Sequence, residues 1–220
     1  MHYIDFDNTL YETGKLTKDI LSGLTTTIAS QANISEESVL EHIHSSFNST
    51  VANFFTFAKN LSAKYHVDYR LLETVINTAI LTNGKNYVFP DALKFIKDLK
   101  AAGETICILT YVSSKNNLSQ QGLKLMGSGI LTHVDEVYTT TRYKHELNLD
   151  FENSTFIDDD PRDLEGFYSC GARKIIRIKK PNNEKRTSKK LAIPEELPTY
   201  TSFKDIPLPE KKISDKSINE

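Results

Sequence analysis

Beyond residue 85 the chain repeats one pattern: a short apolar run of strand length, a turn, then a stretch with apolar residues three and four apart. Thr105 to Thr110, Glu136 to Thr140, Ser154 to Asp158 and Lys174 to Ile178 read as strands. Between them lie helical stretches that start at Pro90, Asn116 and Pro161, with a short one at Tyr143 to Leu147. Proline suits a first helical turn, and Gly103 and Gly171 stand where two of these helices should stop. Strands that alternate with helices are joined by right-handed crossovers, which makes the sheet parallel and covers both its faces. The expected class is α/β, a Rossmann-like three-layer arrangement around a parallel sheet.

The first strand stands apart from the others. His2-Tyr3-Ile4 is apolar and breaks at once into Asp5-Phe6-Asp7-Asn8-Thr9, the pattern of a buried strand that delivers polar groups at its C-terminal end. Residues 16 to 82 then read as helical throughout. Ile20, Leu21, Leu24 and Ile28 mark one helix. Ser35 caps a second with Val39, Leu40 and Ile43, and Val51 to Leu61 forms a third with Phe54, Phe55 and Phe57 in its core. Asp68 caps a fourth, which should end near Asn83-Gly84 through a left-handed glycine. An all-α unit is thus inserted between the first strand and the rest. The expected division is a discontinuous α/β core of residues 1–12 and 85–208, a helical unit of residues 13–84, and a mobile tail of residues 209–220.

With 220 residues, 39% of them hydrophobic, there is material for one large core. Lys and Arg number 27 against 29 Asp and Glu, so a charge of −2 provides no global field to recruit a polyanion and argues against nucleic acid. Residues 179–190 carry six basic residues and read as a solvated linker or surface loop. Cys107 and Cys170 lack metal-ligand spacing and read as reduced core residues. No apolar run approaches 18 residues and Asp5 follows the N-terminus closely, so neither a membrane span nor a signal peptide is expected; the expected compartment is the cytoplasm.

Ligands of parallel sheets bind outside the carboxyl ends of the strands, and three strands here end in polar groups. They are Asp5 to Thr9, Thr110, and Asp158-Asp159-Asp160. Carboxylates gathered at one sheet edge need a compensating cation, and an oxygen-only donor set selects Mg²⁺ or Mn²⁺. Such an ion keeps positions open for water and a substrate phosphate.

The strand ending DFDNTLY, the strand ICILT, the lysine in TRYKHEL and the strand FIDDD followed by PRD resemble, in that order, the four motifs of the haloacid-dehalogenase-like hydrolases. The likeness covers residues 3–9 and roughly 88–178. The inserted helices match only in position, where that family often places a helical cap. What the resemblance implies is a Mg²⁺-dependent phosphatase of small phosphomonoesters such as sugar phosphates or nucleotides. Asp5 stands at the nucleophile that becomes an aspartyl phosphate, and Asp7 at the acid and base. Thr110 corresponds to the hydroxyl on a phosphoryl oxygen, and Lys144 to the balancing cation, with Arg142 the other candidate. The substrate-binding set implied is Thr9, Thr110, Tyr111 and Lys144. Asp5, Asp159 and Asp158 are the metal ligands implied, with the main-chain carbonyl of Asp7, and Asp163 is a supporting acid. The resemblance fits the physics, since a carboxylate attacks an anionic phosphate only once a metal and a lysine screen the repulsion.

Two departures matter: Tyr111 follows Thr110 where a small residue is frequent, which either narrows the phosphate pocket or adds a hydroxyl, and the short interval from Lys144 to Asp158 implies an abbreviated helix. Asp5-x-Asp7 as a calcium loop fails on Leu10, which occupies the position that requires glycine. Asp160 reads as the N-cap of the helix opened by Pro161, and His42 and His44 as exposed helix residues. The rival functions are a phosphomutase on the same fold and a non-catalytic binding or regulatory module that keeps the scaffold.

Overall fold

The computed structural model describes residues 1–47, 53–180, 193 and 197–209. Six strands form one all-parallel sheet: β1 (His2–Ile4), β2 (Ile106–Tyr111), β3 (Glu136–Thr140), β4 (Thr155–Asp158), β5 (Lys174–Ile178) and β6 (Thr199–Tyr200), in the spatial order β3-β2-β1-β4-β5-β6. The class read from the sequence is the one observed. Although β1 has only three residues, it lies in the middle, paired with β2 on one side and β4 on the other. Its C-terminal end therefore opens between the ends of both neighbours.

Alternation along the strands sorts the core into two faces. Tyr3, Cys107, Leu109, Phe156 and Ile175 pack with Leu164 and Phe167 of α7 (Pro161–Ser169). Ile4, Ile106, Ile108 and Ile157 share the opposite cluster with Phe95, Ile96 and Leu99 of α5 (Pro90–Ala101). Burial on both faces is why these strands read as continuous apolar runs.

Among the described residues, four α-helices lie between β1 and α5: α1 (Thr13–Ala32), α2 (Glu36–Ser46), α3 (Phe54–Tyr65) and α4 (Tyr69–Asn77). Ser35 caps α2 by accepting from the Ser38 amide, and Asp68 caps α4 by accepting from the Arg70 amide. The third helix starts later than expected, because Asn53 caps it at the Thr56 amide; Val51 lies outside the described residues. Phe54 is buried there, and Phe55 and Phe57 pack half-buried against the core.

The left-handed end expected at Gly84 does not occur. α4 runs on into a π-helical turn, Thr78–Thr82, and then a 3-10 turn, Gly84–Tyr87, and Gly84 keeps a negative φ. Its missing side chain serves close packing instead. A Cβ on Gly84 would lie 2.5 Å from the Gly127 carbonyl carbon, and one on Gly127 would lie 1.8 Å from the Ile80 carbonyl oxygen. The inserted helices thereby rest directly on the backbone of α6 (Leu118–Ser128).

Residues 197–208 dock on the core through a strand that the sequence did not reveal, since β6 spans two residues. Beyond it Phe203 and Ile206 are buried. Asp91, in the first turn of α5, accepts from Lys180 Nζ (2.7 Å), Ser202 Oγ (2.8 Å) and the Phe203 amide (2.9 Å). Lys180 is buried against the rings of Phe89 and Phe203. The basic stretch thus begins as part of the core and not as a solvated loop; residues 181–190 of it, and residues 210–220 of the expected tail, lie outside the described residues. Both cysteines are free, but Cys170 is exposed at the end of α7, contrary to the expected core position.

Candidate active site

The loop after β1 turns sharply because Asn8 adopts a left-handed conformation (φ 64°), which asparagine tolerates better than most residues. The side chains around this turn part company: Asp5 and Thr9 meet the end of β4, and Asp7 meets α1 and α6. Asp5 meets the end of β4, where Asp158 and Asp159 are buried, and one carboxylate oxygen from each of the three lies within 4.8 Å of the others. Thr9 Oγ1 donates to Asp159 Oδ1 at 3.3 Å.

Lys144 sits in a one-turn 3-10 segment, Lys144–Glu146, and is only 2% exposed. Its ammonium donates to Asp5 Oδ1 and Asp158 Oδ2, both at 2.7 Å, and pairs with Asp163 Oδ2 at 3.1 Å. Arg142 is exposed, so the cation brought to Asp5 is Lys144. No helix separates that turn from β4, in line with the short interval in the sequence. Asp160 accepts from the Arg162 amide and guanidinium, the N-cap arrangement expected of it.

Charge within this cluster is unbalanced. Burial pushes the Asp5 carboxyl above its ordinary range, Lys144 opposes the shift, and Asp7 and Asp163 add to it. Asp158 is driven further up by burial and by repulsion from Asp5, Asp163 and Asp159. Burial alone would weaken the Lys144 ammonium, but the surrounding carboxylates hold it well above its usual value. Lys144, with Arg177 attracted by Asp159, faces the four carboxylates of Asp5, Asp158, Asp159 and Asp163, which leaves an excess of buried negative charge, and a divalent cation on three oxygen donors is what such a cluster accommodates. The donor set therefore fits Mg²⁺.

Asp7 points away from that cluster. Its carboxylate accepts from Lys124 Nζ, from Thr13 Oγ1 and, at 2.8 Å, from Gln121 Nε2. Burial would raise its pKa, yet the charge and hydrogen bond of Lys124, with the Thr13 and Gln121 bonds, bring the net shift below the ordinary value. The same Gln121 amide donates to Thr110 Oγ1 at 2.9 Å, so one side chain ties Asp7 to the end of β2. Tyr111, next in the chain, is 40% exposed, and its side chain leaves this buried network. Gln121 and Lys124 were missed in the sequence. The available signal was the spacing of Gln120, Gln121, Lys124, Gly127 and Ser128, all of which are buried on one face of α6 while Met126 is 63% exposed.

No protein-family model matches the chain, and no curated protein does. Solved structures do. A protein of Burkholderia xenovorans provisionally described as a haloacid dehalogenase-like hydrolase is 16% identical, with 93% of each chain covered and a TM-score of 0.66. A HAD phosphatase of Thermococcus onnurineus is 17% identical over 92% of this chain and 94% of its own, with a TM-score of 0.56. YfnB of Bacillus subtilis, provisionally described as a HAD-hydrolase and with a structure bound to magnesium, is 14% identical over 92% of this chain and 94% of its own, with a TM-score of 0.50. Identities this low speak to the fold alone, which this chain shares with these solved structures.

Proposed function

We propose that the protein is a Mg²⁺-dependent phosphatase of small phosphomonoesters that works through an aspartyl phosphate on Asp5. The observation that carries this reading is the buried group of Asp5, Asp158 and Asp159 with Lys144 donating to two of them. Asp5, Asp158 and Asp159 would hold the metal, which when bound screens the phosphate's charge from the nucleophile and polarises its oxygens.

The chain's own residues divide the remaining work. An Asp5 carboxylate oxygen attacks phosphorus, the phosphorus–ester oxygen bond breaks, and the departing alkoxide takes a proton from Asp7. Water then attacks the aspartyl phosphate, Asp7 takes up its proton, and the phosphorus–Asp5 bond breaks to release inorganic phosphate. Thr110 orients a phosphoryl oxygen, and Lys144 balances charge on Asp5 and the phosphate. Because Lys124 holds Asp7 as a carboxylate at rest, donation is the weaker of its two roles. The first half-reaction should therefore run fastest with leaving groups that need no proton. The inserted helices packed on α6 serve as the cap, and exclusion of water beneath them strengthens the electrostatics.

The test is phosphate release from a panel of small phosphomonoesters, with calorimetric titration of Mg²⁺ alongside. Activity should vanish with chelator, and Asp159→Asn should weaken Mg²⁺ binding far more than Asp160→Asn, whose side chain is engaged by Arg162. Release that persists in chelator, or equal effects of the two substitutions, would refute the assignment.

A further inference from the structure

Three rings outside the buried network form a ladder at the C-terminal edge of the sheet. Tyr111 follows Thr110 directly and Tyr143 precedes Lys144 directly, so both flank the residues assigned to the phosphate. Tyr111 and Tyr143 are 40% and 52% exposed. Their planes are within 8° of parallel and their centroids 6.5 Å apart. Behind Tyr143 lies His145, parallel to within 15° at 5.5 Å. His145 is seated on the backbone of α7, where a Cβ on Gly166 would come within 2.2 Å of its Nδ1. One end of the ladder is thus fixed to the fold.

This centroid spacing is the widest among the stacked pairs of the described residues; Phe47–Phe54 follows at 5.8 Å and Phe151–Phe156 stands at 5.4 Å. The buried stacks Tyr3–Phe156, Phe6–Tyr11 and Phe156–Phe167 have centroids 5.1, 4.8 and 4.5 Å apart. Stacked bases lie about 3.4 Å apart plane to plane, so two rings that hold a third between them need planes about 6.8 Å apart; the 6.5 Å centroid separation is the upper bound on the gap between the two tyrosine planes as they stand. We propose that Tyr111 and Tyr143 form a stacking site for a planar aromatic ring on the leaving group, so that the preferred esters are nucleoside 5′-monophosphates or other phosphates carrying such a ring. Two tyrosine faces left in water beside a phosphate site bind π-surfaces with little dependence on ring identity. The inference rests on the phosphomonoester reading and adds the chemical class of the leaving group.

Adenosine 5′-monophosphate carries a base where ribose 5-phosphate carries its anomeric hydroxyl, so their difference in affinity reads the stacking site. Calorimetry with Mg²⁺ present should give the wild type about tenfold tighter binding of at least one ring-bearing probe, from adenosine 5′-monophosphate, uridine 5′-monophosphate and pyridoxal 5′-phosphate, than of ribose 5-phosphate. Tyr143→Ala and Tyr111→Ala should each abolish that advantage, Tyr143→Ala should leave ribose 5-phosphate binding unchanged, and Tyr143→Phe should keep the advantage. No advantage for any ring-bearing ester in the wild type, or an advantage that survives both alanine variants, overturns the proposal. Adenosine alone separates the two readings: if it binds through the tyrosines while ribose 5-phosphate does not bind, the phosphate site fails and the stacking site stands. If no probe binds, both fail.

Discussion

Replacing Lys124 with methionine keeps the apolar stem as far as Cε and removes the ammonium, with its charge and its hydrogen bond to Asp7. Lys124 is buried and its ammonium is bonded to Asp7, whose side chain is 23% exposed. Breaking a buried pair by removing one partner costs about 3–5 kcal/mol. The partial exposure of Asp7, together with its remaining donors Thr13 and Gln121, places the expected loss near the lower end, about 3 kcal/mol. For a chain of this size that is a fall in Tm of about 6–12 °C. The sign of the pH dependence follows from the depressed Asp7 pKa. A carboxylate lowered in the folded state contributes stability that is complete above its unfolded pKa and is lost as pH falls through the folded value. The gap between wild type and Lys124→Met should therefore be full at pH 7 and narrow below about pH 4. In activity, the loss of Lys124 lets Asp7 keep its proton to higher pH, so the alkaline limb of the rate profile for an alkyl ester should move upward. Thermal melts across this range check the stability claim. Equal Tm values at pH 7, or a gap that does not change on acidification, would refute the reasoning.

Two further expectations concern the packing around the site. Gly127→Ala sets a methyl 1.8 Å from a backbone oxygen that cannot swing aside, so it should cost about 3 kcal/mol, whereas Gly122→Ala, in open space on the same helix, should be neutral or stabilise by up to about 1 kcal/mol; denaturant titration of both variants checks the contrast. Asp91 is buried, which opposes ionisation, but its bonds from Lys180, Phe203 and Ser202 lower its pKa overall. Asp91→Ala should cost about 3 kcal/mol at pH 7 by leaving Lys180 unpaired, and the difference from wild type should shrink below about pH 4 in acid-unfolding curves.

The α/β order was legible because each strand is an apolar run that carries its own stop, and β3 and β5 have the bounds expected. The acidic cluster was legible for a related reason: Asp5 and Asp158-Asp159 fall at the ends of such runs, and β1 pairs directly with β4. What escaped depends on contacts between distant segments. Helix α6 turns a polar face inward because Gln120 must satisfy the Phe54 amide and Gln121 and Lys124 must reach Asp7 and Thr110. Amphipathic periodicity alone assigns such a face to solvent. Gly84 read as a helix stop because glycine so often is one; its actual constraint is the backbone of Gly127, 43 residues on. β6, two residues long, carries no period at all.

The central claim is that Asp5 takes the phosphoryl group while Asp7 moves protons, and direct detection of the covalent intermediate tests it. The protein is mixed with an aryl phosphate labelled at phosphorus and Mg²⁺, quenched in acid, and mapped by peptide mass spectrometry. The account predicts a hydroxylamine-sensitive phosphate on Asp5, which accumulates in Asp7→Asn because water is no longer activated, and no label in Asp5→Asn, which should be inactive on every ester. Label on the Asp5→Asn variant, label on another residue of the wild type, or full activity in both variants would contradict it.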